Sequence, residues 1–220
     1  MNIPGESAEY RAARDRLLAA EAKLRAEVEA VAALRRDLPE GPAPKDDYIF
    51  RDTDGGEVGF SDLFAPGRDA LFLYSFMFAP AEGQGACPMC AAFLDSLNGA
   101  ARHIETQASI VVAAKASPAE LTTFAAGRGW DNLKLVSTAG TSFNRDYGAE
   151  AADGGQLPMA HVWKKTGETI RHFWSSELFH HASDWPHHPR HVDMMWPLWN
   201  VFDTLPGGRP DAWFPAHEYA

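Results

Sequence analysis

Only two cysteines occur in 220 residues. A structural disulfide framework needs more cysteines and an oxidising compartment, so the pair is not a fold staple. Cys87 and Cys90 stand three apart, and the small loop they would close adds little to stability, so reactivity or metal binding is the better explanation. Basic residues are also scarce, 20 Lys+Arg against 30 Asp+Glu, for a net charge of −10. Phosphate backbones and anionic lipid surfaces would repel such a chain, so no nucleic-acid or membrane partner is expected. Missing too are an apolar run of about 18 residues and a signal-peptide core, from which a cytoplasmic location is expected. What is plentiful is apolar and aromatic matter, 45% hydrophobic with 11% Phe, Trp and Tyr. That supports one domain with a substantial core.

Residues 6–38 contain no Gly or Pro, and Leu17, Leu24, Val28, Val31, Leu34 and Leu38 fall on one face of a long helix. Pro39, Gly41, Pro42 and Pro44 end it. The expected organisation is a helical arm over 1–38, a linker over 39–47 and a domain over 48–215. The exposed stripe of a lone helix must pack on something, and a homodimer through this arm is expected.

Tyr48–Arg51 and Glu57–Phe60 flank the turn signal Asp54-Gly55-Gly56. Residues 70–78 are apolar on both faces, which suits a central strand. Pro88 can open a helix directly after Cys87, and Cys90, Phe93, Leu94, Leu97, Ala101 and Ile104 trace its buried face. Ser109–Ala116 reads as a strand, and Ser117-Pro118-Ala119-Glu120 as a capped helix start. Leu133–Ser137 reads as a further strand, and Ala160–Lys165 and Thr169–Ser175 as a hairpin. A last amphipathic helix is expected between His187 and Asp203. This is the order of a thioredoxin-like α/β fold, with a peroxiredoxin-like N-terminal hairpin and the long helix added.

A Cys-x-x-Cys at a helix start puts its first thiol over unpaired N–H groups at the positive end of the helix dipole, which favours the thiolate. The second cysteine, one turn in, is placed to attack a mixed disulfide. Cys87 is therefore expected to be the nucleophile and Cys90 the resolver, acting on a protein or small-molecule disulfide or thiol with no cofactor.

The runs Phe76-Met77-Phe78, Cys87-Pro88-Met89-Cys90, Leu97-Asn98-Gly99-Ala100, Arg128-Gly129-Trp130, residues 142–148, Pro197–Asp203 and Gly207-Gly208-Arg209 together resemble the DUF899 family over most of 40–215. The resemblance implies a thioredoxin-like dithiol–disulfide oxidoreductase. It also puts Pro158 at the cis-proline position facing the cysteines. Two thioredoxin features are missing: residues 71–78 hold no acid, Glu82 being a weak substitute, and Gly85-Ala86 replaces the tryptophan ahead of the cysteines.

Three other readings compete. Pro80 stands seven before Cys87 as in a peroxiredoxin peroxidase, but Gln84 fills the hydroxyl position that orients the peroxide. Seven of nine histidines fall between 161 and 191, and thioredoxin-fold copper chaperones pair two cysteines with one distant histidine. His161, His172, His187 and His191 are the candidate ligands for copper or zinc. A non-catalytic binding module would instead line a groove with Trp185, Trp196, Trp199, Trp213 and Phe214. Arg128, Trp130, Asn144 and Asp146 could orient a substrate or simply pin loops.

Overall fold

The computed structural model describes residues 2–180, 192–209 and 213–219, with no statement made for the side chain of Phe179. The chain divides into two compact units, Met1–Glu40 and Gly41–Ala220. The first is built on helix α1, Ala8–Arg36, whose N-cap Ser7 accepts the Tyr10 N–H. Leu17, Leu24, Val28, Val31 and Leu34 along it are all exposed. No helix among the described residues is long and apolar enough to cross a membrane.

The second unit has a thioredoxin-like fold around a seven-stranded sheet, ordered β2-β1-β5-β4-β3-β6-β7. The strands are β1 Ile49–Asp52, β2 Glu57–Gly59, β3 Ala70–Ser75, β4 Ser109–Ala114, β5 Lys134–Ser137, β6 Met159–Thr166 and β7 Thr169–Ser175. Parallel β3, β4 and β5 form the centre, and the β1–β2 and β6–β7 hairpins close the two sides antiparallel. All six residues of β4 are buried, as a strand covered on both faces requires.

Alternation along β3 divides the core into two layers. Leu71 and Leu73 join Phe50, Phe60, Val111, Phe143 and Trp163 on one face. Tyr74 joins Cys90, Phe93, Leu94, Val112 and Trp196 on the other. Helix α2, Pro88–Ile104, lies on this second face, with Phe93 5.0 Å from the Tyr74 ring.

Helix α3, Pro118–Arg128, opens on a reciprocal capping box between Ser117 and Glu120. It stops at Gly129, whose φ of +67° lies in the left-handed region that glycine adopts without a Cβ clash. The short α4 is Phe143–Asp146.

The expected last helix is shorter than its amphipathic pattern. Asp193–Met195 is a single 3₁₀ turn, and α5 covers only Pro197–Phe202. Pro197 is the reason: without an N–H it cannot continue a helix from Asp193, yet it suits the first position of a new one. Residues 181–191, with Trp185, His187 and His191, lie outside the described residues. Trp196 and Trp199 are buried core residues, Trp196 lying 5.8 Å from Phe93, so neither lines an open groove.

Candidate active site at the start of helix α2

Beyond β3 the chain extends the sheet by one bond, Phe76 N–H to the Ala113 carbonyl at 2.8 Å, and then leaves it. Residues 79–84 fold into a small loop pinned to itself by Ala79 and Gln84. The chain returns at Cys87, whose N–H donates to the Met77 carbonyl at 3.0 Å. Cys87 is the N-cap of α2 and is half-buried, while Cys90 is buried one turn in, and both are free thiols.

The two thiols differ in acidity. The Cys87 sulfur makes no capping hydrogen bond of full geometry, but its thiol is still pulled down to about 6. A hydrogen bond from Cys90 contributes most, and the backbone N–H groups of Cys90 and Met89 and the His217 ring add to it, against the opposing effect of burial. Burial pushes the Cys90 thiol up, and the Cys87 sulfur pushes it further.

Tyr74 donates its hydroxyl proton to the Cys90 sulfur at 3.4 Å. Burial above all, then the cysteine sulfurs, keeps this phenol protonated and able to donate. Sequence reasoning passes over Tyr74 as part of an apolar run. The available signal is that a tyrosine hydroxyl in a doubly covered strand must find a partner.

Pro158 is buried and immediately precedes β6, whose Met159 is registered opposite Ser75. Among the described residues no peptide bond is cis, so Leu157–Pro158 is trans, correcting the cis expectation. Trans is the favoured state even before proline, and the chain enters an extended strand here.

Other polar groups near the loop are already engaged. Gln84, at the hydroxyl position of the peroxidase reading, donates to the Gly154 carbonyl at 3.1 Å and accepts the Gln156 N–H at 2.8 Å. Glu82 pairs with Lys115 at 2.5 Å, and Lys115 also reaches Glu150 at 2.9 Å. Glu82 is thus committed to a cation rather than to the thiols.

His161 and His172 come together with each other and not with the cysteines. His161 Nδ1 lies 2.8 Å and His172 Nε2 2.7 Å from the same Ser175 hydroxyl. Burial drops His161 to about 3, with His172 adding to the effect. His161 is registered opposite Leu73, so alternation sends it to the layer opposite Tyr74 and Cys90. The expected copper or zinc set of cysteines plus His161 or His172 is therefore not assembled. Among the described residues no three His, Cys, Asp or Glu side chains are grouped as metal ligands.

The motif residues after α2 pin loops. Trp130 Nε1 donates to Asp95 at 2.8 Å, and Arg128 pairs with the same carboxylate. With Asn98 and Gly127 they line an open cleft of about 320 Å³. Asn144 accepts from Thr138 at 2.7 Å and donates to Gln156 at 2.9 Å. Asp146 accepts from Tyr48 at 2.8 Å and Ser142 at 2.6 Å.

The family model described as bacterial protein of unknown function (DUF899) matches residues 2–219. The chain belongs to the DUF899 family. No curated protein matches this DUF899 chain. Its fold is similar to that of peroxidoxin BcpB from Mycobacterium tuberculosis, at 16% identity and TM-score 0.50, covering 74% of this chain and 97% of that one. A cysteine mutant of PrxQ from Xylella fastidiosa is similar over the same shares at 13% identity and TM-score 0.50. Peroxiredoxin Q from Xanthomonas campestris matches at 13% identity and TM-score 0.50, over 73% of this chain and 96% of that one. At these identities the likeness is one of fold.

Proposed function

We propose that this DUF899 protein is a thiol–disulfide oxidoreductase acting through Cys87 and Cys90 on a protein or small-molecule disulfide. The observation that carries the reading is the asymmetry of the pair: an accessible, acidic Cys87 at a helix start and a buried Cys90 that receives a hydrogen bond from Tyr74. The Cys87 thiolate attacks a substrate disulfide, one sulfur of which joins Cys87 while the other leaves and takes up a proton. Cys90 then gives up its proton and attacks the Cys87 sulfur, releasing the second substrate thiol. Two electrons pass from the dithiol to the substrate, and the two cysteine protons end on the two product thiols. In reverse, the same steps oxidise a substrate dithiol.

The test is site-resolved alkylation of the reduced protein across pH. Only the thiolate reacts, so the Cys87 rate should rise through a midpoint of about 6 and level off above it. Cys90 should stay slow throughout the neutral range. Faster alkylation of Cys90 would reverse the two roles.

Tyr74→Phe removes one hydroxyl and leaves the ring packed on Phe93. The Cys90 thiolate loses its donor as it forms, so release of a mixed disulfide should slow by about tenfold, the worth of a hydrogen bond to a charged group. The Cys87 alkylation rate should hardly change. Slowing of both steps together would point to a packing defect instead.

The fold likeness to peroxiredoxins, with Pro80 seven residues before Cys87, favours peroxide as a second substrate class. Against it, the Gln84 amide is spent on the 154–156 loop. Hydrogen peroxide consumption that outruns disulfide exchange would make the peroxidase reading the better one.

A further inference from the structure

The strand before the cysteines holds no acid, and Glu82 is taken up by Lys115, so neither brings a free ionisable group to the site. The C-terminal segment brings one. Trp213 packs its ring 6.1 Å from Trp199 and 5.3 Å from Phe202, and Pro215 is buried. Four residues past Trp213, the His217 carbonyl accepts Arg128 Nη1 at 2.7 Å, and the His217 ring meets Phe124 edge-on at 5.6 Å. His217 Nε2 then lies 2.8 Å from the carbonyl of Ala86, the residue preceding Cys87. A carbonyl can only accept, so Nε2 carries a proton and Nδ1 is the nitrogen that gains or loses one.

We propose that His217 is a positioning residue of the Cys87 site, its C-terminal segment holding a chargeable imidazole against the Ala86 carbonyl and that bond fixing the peptide that leads into Cys87. The inference rests on the oxidoreductase reading and deepens it. Among the described residues the chargeable groups around the ring are few. Asp95 of α2 and Arg128 of α3 pair with one another, and Cys90 and Tyr74 are buried behind Cys87. Glu218 is its chain neighbour and is exposed. The His217 ring adds to the lowering of the Cys87 thiol after the hydrogen bonds from Cys90 and the helix backbone.

The experiment compares pH profiles of Cys87 alkylation in the wild type, His217→Gln and His217→Lys. His217 is exposed, so both variants should fold. Glutamine keeps an N–H donor but no charge. The midpoint should rise by about half a pH unit, the effect of one exposed ion pair. Lysine restores a cation and should bring the midpoint back toward the wild-type value. A low wild-type midpoint that His217→Gln leaves unmoved overturns the role of His217 alone. A wild-type midpoint in the ordinary thiol range that His217→Gln still raises sustains His217 and removes support for the oxidoreductase reading. An ordinary midpoint that does not move overturns both.

Discussion

Replacing Cys87 by serine is expected to reduce disulfide exchange by more than about a hundredfold, because the thiolate is the nucleophile and a serine hydroxyl at this position stays protonated. Cys90 cannot take over. It is buried, its thiol is pushed up, and its sulfur is turned toward the Tyr74 hydroxyl. Cys90→Ser should do the opposite, letting attack proceed and accumulating substrate as a mixed disulfide on Cys87. Both outcomes can be followed with an aromatic disulfide whose released thiol absorbs visible light, and with the intact mass of the protein. A Cys87→Ser variant retaining most of the wild-type rate would mean that the chemistry lies elsewhere.

The largest loss of stability is expected on the other side of the sheet. Trp163 is fully buried on β6, with ring centroids of Phe60, Tyr147 and His172 at 4.9, 5.0 and 4.9 Å. Trp163→Ala would leave a large apolar void between these rings and should cost about 3–5 kcal/mol, read from chemical denaturation. Trp163→Phe is the informative companion. Trp163 Nε1 has no hydrogen-bond partner, so the smaller ring also removes a buried donor that nothing accepts. Its cost should stay below about 1.5 kcal/mol. A Trp163→Phe cost well above that value would mean that the indole N–H is satisfied.

Much of this fold is legible in the sequence because its signals are local. The Ser117-Pro118-Ala119-Glu120 cap carries its own hydrogen bonds within four residues, and it appears in the structure where the sequence puts it. The Asp54-Gly55-Gly56 turn likewise joins two short strands where the sequence puts them. The misjudged parts depend on residues far apart. His161 and His172 look like partners for the cysteines until the register of β3 with β6 assigns them a face. Tyr74 and Cys90 are sixteen positions apart, and only the packing of α2 on β3 joins them. His217 is separated from Ala86 by 131 positions, and no periodicity connects the two. The last helix is shorter than expected for a local reason, since an apolar stripe does not register the break that Pro197 imposes.

The two-layer alternation of β3 also bears on how the gene can change in length. Leu73 and Tyr74 are chain neighbours that serve opposite layers, so one residue inserted or deleted within Leu71–Ser75 would exchange every side chain beyond it between layers. Tyr74 would turn from Cys90 toward the aromatic layer of Trp163, and the Ser75–Ala113 and Ser75–Met159 pairings would slip together. A change of two would restore the faces but draw the Met77 carbonyl away from the Cys87 N–H it now receives. The Asp54–Gly56 and Thr166–Glu168 turns face no such parity constraint. Insertions and deletions are tolerable there and ruinous within Leu71–Ser75.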